Sequence, residues 1–316
     1  MNNIWLTIFT PTYNRAYMLH KLYESLKNQT RKDFEWLIID DGSSDDTRNL
    51  IKKWINENTN FKIRYYYQNN GGKHRAINKA VKHSLGKYFF IVDSDDYIVD
   101  DAIDIIYKWC MSINNCNEFA GVSGLKGYNY FDMVGSFPRG KKYKEYIDAT
   151  NLERDKYKLL GDKAEVYKTE ILAKYPFIEY ENENFITEST VWDKMAYDGL
   201  KIRWYNRIIY ICNYLDDGLT KSGSSKFIDN WNGFSYYIKQ ELLYNSKNYI
   251  KSIKLIGNYS VLSKSRGESL KYSSKVLNKK YFIVIICYLI YKTIKGIRKW
   301  DSKKLCLIQF VMFYFF

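Results

Sequence analysis

Over residues 4–110 the chain switches repeatedly between two kinds of apolar pattern. Continuous, largely apolar runs occur at 4–10 ("IWLTIFT"), 34–39 ("FEWLII") and 88–92 ("YFFIV"), and a tyrosine-rich run occurs at 62–68 ("KIRYYYQ"). Short runs of this kind predict strands, the most apolar of them buried on both faces. The intervening segments 16–29, 46–58 and 73–84 predict helices. The order βαβαβαβ predicts an α/β fold with a mostly parallel, Rossmann-like sheet and helices on both faces. In such sheets ligands bind beyond the carboxyl ends of the strands. Three of the expected strands run into polar residues at that edge: "TPTYNR", "DDGSSDD" and "DSDD".

The last of these poses a chemical question. Five nearly apolar residues, Tyr88 to Val92, lead directly into Asp93, Ser94, Asp95 and Asp96. Crowded carboxylates repel and raise one another's pKa, so such a cluster needs water, a positive partner or a bound cation.

Composition narrows the class. At 316 residues and 46% hydrophobic, the chain can bury a sizeable core. Its 49 Lys and Arg against 35 Asp and Glu give a net charge of +14, which suggests an anionic partner: nucleic acid, a phosphate-bearing substrate or a membrane surface. Five cysteines without a CxxC imply neither a disulfide framework nor a zinc site, and a reducing cytoplasm suits them. The opening "IWLTIFTPTYN" reads as a strand rather than a signal peptide. No internal repeat or low-complexity linker is visible.

Four motifs in order, "FTPTYNR" (9–15), "LIIDDGSSDDT" (37–47), "NNGGKHRAIN" (69–78) and "IVDSDDY" (91–97), resemble the successive signatures of family-2 glycosyltransferases with the GT-A fold, of the kind that builds bacterial capsular or other surface polysaccharides. A later segment, "ENFITESTVWDKMAYDG" (183–199), resembles the catalytic region of that family and extends the likeness to about residue 220. The resemblance implies an inverting transfer of a sugar from a nucleotide-diphosphate donor, UDP foremost, to a hydroxyl of a glycan or lipid-linked acceptor. It also implies a nucleotide-sugar-binding half (1–110) and an acceptor-binding and catalytic half of the same domain (111–225); residues 226–316, which the motifs do not explain, read as a C-terminal helical extension whose composition leaves membrane association open.

Carried over residue by residue, the resemblance assigns nucleotide contacts to Thr10, Pro11, Tyr13, Arg15, Asp41, Gly72 and Asp93. Tyr13 would offer an aromatic face to the base and Asp41 would accept a hydrogen bond from it. "DDGSSDD" is also good turn chemistry, which gives Asp41 a second reading as a turn or helix-capping residue. Gly71 and Gly72 let the backbone approach a ligand ahead of a helix N-terminus. Where the family often has Ala-Arg-Asn in that helix, this chain has Ala76, Ile77 and Asn78. The basic residues are displaced to Lys73, His74 and Arg75, so either His74 or Arg75 meets the diphosphate or both are ordinary helix-surface charges.

A departing diphosphate needs neutralising, and Mn²⁺ or Mg²⁺ on oxygen ligands does this. Asp95 is the first candidate ligand and Asp96 the second. An inverting transfer needs a general base for the acceptor hydroxyl. The family commonly has Glu-Asp four residues before an aromatic; here Glu188 lies four before Trp192, with Thr187 in place of the usual Glu. Glu179, Glu181 and Glu183 read as a solvated acidic loop and Asp193 as a helix-surface residue. Relatives often carry a His further on; "YLDDGLTKSG" (214–223) has none, leaving Asp216, Asp217, Thr220, Lys221 or nothing in that role.

Two other classes compete. No RRM, KH, helix-turn-helix or zinc signature supports nucleic-acid binding, and strand-end carboxylates would repel its phosphates. A nucleotidyltransferase would carry a glycine-rich basic signature after the first strand, where "TPTYNR" stands instead. In the tail, the apolar runs 281–291 ("YFIVIICYLIY") and 305–316 ("LCLIQFVMFYFF") are both too short to span a bilayer. Lys279, Lys280, Lys292, Lys295, Arg298, Lys299, Lys303 and Lys304 accompany them. That composition suits a segment lying on the inner face of an anionic membrane, or else two helices packed on the domain.

Overall fold

The computed structural model describes residues 4–57, 59–138, 145–212 and 224–295. Asp216, Asp217, Thr220, Lys221 and the run 305–316 with its neighbouring cations therefore lie outside the described residues. The chain divides into two compact units: residues 1–179 with 191–218, and residues 180–190 with 219–316.

The first unit is built on β1 (Leu6–Thr12), α1 (Leu19–Lys27), β2 (Phe34–Asp40), α2 (Thr47–Asn56), β3 (Lys62–Tyr67), α3 (Lys73–His83), β4 (Tyr88–Ile91), β5 (Tyr97–Ile98) and α4 (Ala102–Met111). It continues through β6 (Phe119–Gly127), β7 (Tyr146–Ala149), β8 (Lys163–Lys168), α5 (Thr169–Leu172), α6 (Ser189–Tyr197) and β9 (Lys201–Ile211). The unit boundary falls in the first turn of α6.

All seven residues of β2 are buried, as a strand covered on both faces requires. The sheet runs β3-β2-β1-β4-β8-β6-β9-β5, with β7 on β9. The first four strands are parallel, as their spacing predicts. Beyond β4 the sheet is mixed, because β8 runs antiparallel to both β4 and β6. The carboxyl ends of β1 to β4 consequently share one edge.

Helix α1 buries Leu19, Leu22, Tyr23 and Leu26, the i, i+3, i+4, i+7 stripe of an amphipathic helix. Tyr23 stacks on Trp54 of α2 at 4.3 Å between ring centroids, and Trp36 of β2 lies 5.8 Å from Trp54. These residues join Leu6, Ile8, Ile38, Phe90 and the apolar face of α4 in one core on one side of the sheet. Alternation along the strands turns Phe9, Leu37 and Phe89 to the other side, and α3 packs against β1 and β2.

Two polar residues in these layers are anomalies with a purpose. Glu35, fully buried in β2, accepts hydrogen bonds from Thr7 Oγ1 (2.7 Å), Arg64 Nη1 (2.9 Å) and the Leu85 amide (2.8 Å). It ties β1, β2, β3 and the α3–β4 turn together at the amino edge. His74 turns into the protein from the first turn of α3, and its Nδ1 is a buried nitrogen without a partner. Burial, with the Arg75 charge beside it, lowers the imidazole from its usual 6.5 to about 4.

The second unit contains α7 (Ser225–Asp229), α8 (Trp231–Tyr244), α9 (Tyr249–Ser265), α10 (Leu270–Leu277) and α11 (Tyr281–Lys295). Trp231, Phe234 and Ile238 pack with Ile253, Ile256 and Tyr259 and with Leu277, Val284 and Cys287. The apolar run 281–291 is thus a helix with one face in this core, while Tyr281, Phe282 and Leu289 remain exposed. Among the described residues no helix is long and apolar enough to cross a membrane.

Two outcomes follow from the buried polar groups. Glu35→Ala strands the Arg64 guanidinium and should lower unfolding free energy by about 3 kcal/mol, read from urea denaturation. For His74, the unfolded chain takes up a proton below pH 6.5 while the folded imidazole stays neutral. Its contribution is complete above 6.5 and is lost as pH falls towards 4. At about 1.4 kcal/mol per pKa unit the loss is roughly 3 kcal/mol, and a folded His74→Phe variant should lack this part of the pH slope.

Candidate active site

The loops after β1 and β2 are knitted together by side-chain to backbone bonds. Asn14, at a positive φ of 52°, donates its amide to Ser43 Oγ (2.9 Å) and accepts from the Ser44 amide through Oδ1 (2.8 Å). Asp45 accepts from the Ala16 amide (3.1 Å) and from both Thr47 Oγ1 (2.6 Å) and the Thr47 amide (3.1 Å). Burial works to raise the Asp45 pKa, but these bonds hold it below the usual carboxylate value. "TPTYNR" and "DDGSSDD" therefore form one preorganised rim. Tyr13 stands half exposed on it, Pro11 is partly exposed in β1, and Arg15 donates to the Tyr17 hydroxyl at 2.6 Å. Thr10 lies beneath, fully buried, and accepts from Trp36 Nε1 at 2.9 Å.

The two acids closing β2 have separate tasks. Asp40 points inward and accepts from the Tyr65 hydroxyl (2.6 Å) and the Ser43 amide (2.8 Å). Asp41 reaches across to the loop after β3. Its Oδ1 accepts from Gln68 Nε2 (2.7 Å) and the Gly71 amide (2.9 Å), its Oδ2 from the Gly72 amide (2.8 Å), and its carbonyl from Asn70 Nδ2 (2.9 Å). Only glycine suits two positions here. Gly72 has φ of 92° at the N-terminus of α3, and a Cβ on Gly42, at φ of 96°, would come within 2.8 Å of the Asn70 amide.

At the end of β4, Asp93 sits between two lysines, 2.7 Å from Lys73 Nζ and 4.0 Å from Lys126 Nζ. Burial would raise its pKa, but the two cations hold it below the usual value. Asp95 behaves in the opposite way: burial, and then the charge of Asp93, raise it. Asp96 accepts from the buried Tyr210 hydroxyl at 2.7 Å, and that same oxygen accepts from the Asp93 amide at 3.0 Å, which fixes the turn. Lys126 also lies over the Tyr210 ring, 4.2 Å from its centroid.

Among the described residues no cluster of three or more His, Cys, Asp or Glu can hold a metal. A hard divalent cation at a nucleotide site commonly takes one or two carboxylates and completes its shell with phosphate oxygens and water. Asp95 fits that pattern as a strand-end carboxylate beside Asp93, whose like charge a bound cation would offset. Asp96 fits less directly, since one of its oxygens is engaged by Tyr210.

The fold brings Pro11, Tyr13, Arg15, Asp41, Gly72, Asp93 and Asp95 to one sheet edge. His74 points into the core. Arg75 is turned towards Glu179 Oε2 (3.4 Å) and the Gly71 carbonyl (2.8 Å). Asn78 also holds this segment, pairing with the Phe177 backbone and donating to Glu179 Oε1 at 2.7 Å. Asp193, expected on a helix surface, is buried and accepts from Asn151 Nδ2 at 2.6 Å. Trp192 stacks on Tyr167 at 4.5 Å. Glu188 precedes α6 in the second unit. Sequence reasoning names Lys73 only as one of the displaced basic residues and does not reach Lys126 or Tyr210; for Lys126 the available signal is a lone lysine in the otherwise apolar strand "FAGVSGLKG".

Comparison with known proteins agrees with this geometry. Residues 7–160 match the sequence profile described as "Glycosyl transferase family 2". An uncharacterized glycosyltransferase of Rickettsia felis is 39% identical over 110 residues, 35% of this chain and 18% of that protein. The poly(ribitol-phosphate) beta-N-acetylglucosaminyltransferase TarP of Staphylococcus aureus is 32% identical over 146 residues, 45% of this chain and 43% of its own length. The chain thus spans under half of either relative. The crystal structure of S. aureus TarS residues 1–349 in complex with UDP superposes with a TM-score of 0.57 at 18% identity, covering 85% of this chain and 74% of that one. The motif edge, the sheet and these likenesses together show residues 7–160 to be a glycosyl transferase family 2 region, on a GT-A fold.

Proposed function

We propose that the protein transfers a sugar, in the first instance N-acetylglucosamine, from a UDP-sugar to a hydroxyl of a cell-surface glycan, with inversion at the anomeric carbon. The observation that carries this reading is Asp93 held between Lys73 and Lys126 at the end of β4, beside Asp95. Two cations and a cation-seeking carboxylate meet the needs of a diphosphate leaving group. The N-acetylglucosaminyltransferase activity in the name of TarP and the UDP bound in the TarS structure support the choice of sugar and nucleotide.

In this reading Tyr13 lies against the uracil. Oδ2 of Asp41 takes one hydrogen bond from the Gly72 amide, so it retains acceptor capacity for the base N–H. Asp93 meets the ribose, and Lys73 and Lys126 stand at the diphosphate. Asp95, with Asp96 behind it, would hold Mn²⁺ or Mg²⁺, which when bound supplies Lewis-acid neutralisation of the diphosphate. Glu188 accepts the proton of the acceptor hydroxyl as that oxygen bonds to the anomeric carbon and the bond from that carbon to the diphosphate oxygen breaks. The products are the glycoside, UDP and protonated Glu188, which returns its proton to solvent. The exposed Phe282 and Leu289 of α11, with Lys279, Lys280 and Lys292 nearby in sequence, support contact with the inner face of an anionic membrane, where a lipid-linked acceptor would reside.

Release of UDP from UDP-N-acetylglucosamine with Mn²⁺ tests the reading. Activity should vanish in excess EDTA and in a folded Asp95→Ala protein; full turnover in either would remove the metal role. Glu188→Gln should keep donor affinity and lose at least the roughly 10²-fold of a missing general base. In calorimetry UDP should bind more tightly than GDP, and a strong preference for GDP would refute the uracil pocket.

A further inference from the structure

Within the stretch "EYENENFITES" (179–189), Glu183 behaves unlike the exposed Glu179 and Glu181. It is buried, and the expectation of a solvated acidic loop fails for it. Its Oε1 accepts from the Asn232 amide at 2.7 Å and its Oε2 from the Gly233 amide at 2.8 Å. Both amides belong to the first turn of α8, where no intrahelical acceptor exists and the helix dipole favours a carboxylate.

The contact is reciprocal. Asn230, buried immediately before α8, accepts through Oδ1 from the amides of Asn184 (2.8 Å) and Phe185 (2.9 Å), while its Nδ2 donates to the Lys226 carbonyl (2.8 Å). The Phe185 ring lies edge-on to Phe227 at 5.8 Å, and Ile186 is buried. Three consecutive residues, 183 to 185, are therefore clasped to the junction of α7 and α8. Across Glu188 itself, the Thr187 carbonyl accepts from the Thr190 amide (3.1 Å) and from Thr190 Oγ1 (2.8 Å), closing a turn that contains Glu188. That turn follows directly on the clasped residues.

We infer that Glu183 and Asn230 are positioning residues for Glu188, and that the helical extension contributes to transfer by holding the general base through this clasp. The inference rests on the role proposed above for Glu188. A base displaced by about 1 Å loses up to roughly a hundredfold in rate without any change in donor binding.

The test uses the full chain and release of UDP from UDP-N-acetylglucosamine with Mn²⁺. Glu183→Gln and Asn230→Ala should each lower kcat by roughly tenfold to a hundredfold, leaving the KM for the donor and the calorimetric Kd for UDP unchanged. Asn248→Ala is the control: it removes the cap of α9, whose Oδ1 accepts from the Lys251 amide at 3.0 Å, and makes no bond to residues 183–186. It should lower Tm comparably and leave kcat intact. If kcat is unchanged in Glu183→Gln, or falls equally in Asn248→Ala, the clasp is merely structural and the inference is overturned. If Glu188→Gln turns over at the parent rate, the assignment of the base falls and the inference falls with it; an inactive Glu188→Gln beside a fully active Glu183→Gln overturns the clasp alone.

Discussion

A carboxylate at the end of a buried strand must be met by donors, because an unpaired charge there costs several kcal/mol. The carboxyl edge of this sheet is organised by that requirement. Asp40 recruits Tyr65 from β3, Asp41 recruits two glycine amides from the loop before α3, Asp96 recruits Tyr210 from β9, and Asp93 recruits lysines from α3 and β6. Each bond crosses to a different element, so satisfying the acids also fixes the loops that carry them. A rim preorganised in this way can receive a ligand without first paying to order its own walls.

The parallel half of the sheet was legible because its information is local. Runs such as "FEWLIID" and "YFFI" declare double-sided burial, and "GGK" declares a helix start. The reversal of β8 was not legible. "KAEVYK" alternates charged and apolar residues like an edge strand, yet it lies in the middle of the sheet, with its neighbours set by register rather than by composition. Lys126 reaches Asp93 only through that register, so nothing in its own neighbourhood announces the pairing. The donors to Asp41 are mostly backbone amides, which no pattern of residue types records. Glu183 and Glu181 differ by two positions and have the same chemistry; only the helix facing Glu183 separates a clasp from a solvated acid.

The helical unit also claims residues that lie, in sequence, within the sheet-bearing unit. Residues 180–190 belong with α7 to α11 by their contacts, although the chain reaches them before β9 is laid down. The chain leaves the first unit after residue 179, joins the second, and returns to the first at residue 191. Within that unit the ion pair of Lys251 with the buried Glu241, at 2.9 Å, and the packing of the Trp231 and Phe234 rings on Tyr259 join α8 to α9.

The central position of β8 also bears on how the chain reaches this state. β1 to β4 pair after one helical crossover each or by closing the βαβ array, whereas Tyr88 must find Lys168 across all of α4, β6 and β7. Loop closure over such a distance is entropically costly and is repaid only when both flanking strands are present. The β1 to β4 half of the sheet can therefore assemble early, with an open edge at β4 that the later strand seals. During synthesis that open edge, made of Tyr88, Phe89 and Phe90, is an aggregation-prone surface until residue 168 has left the ribosome.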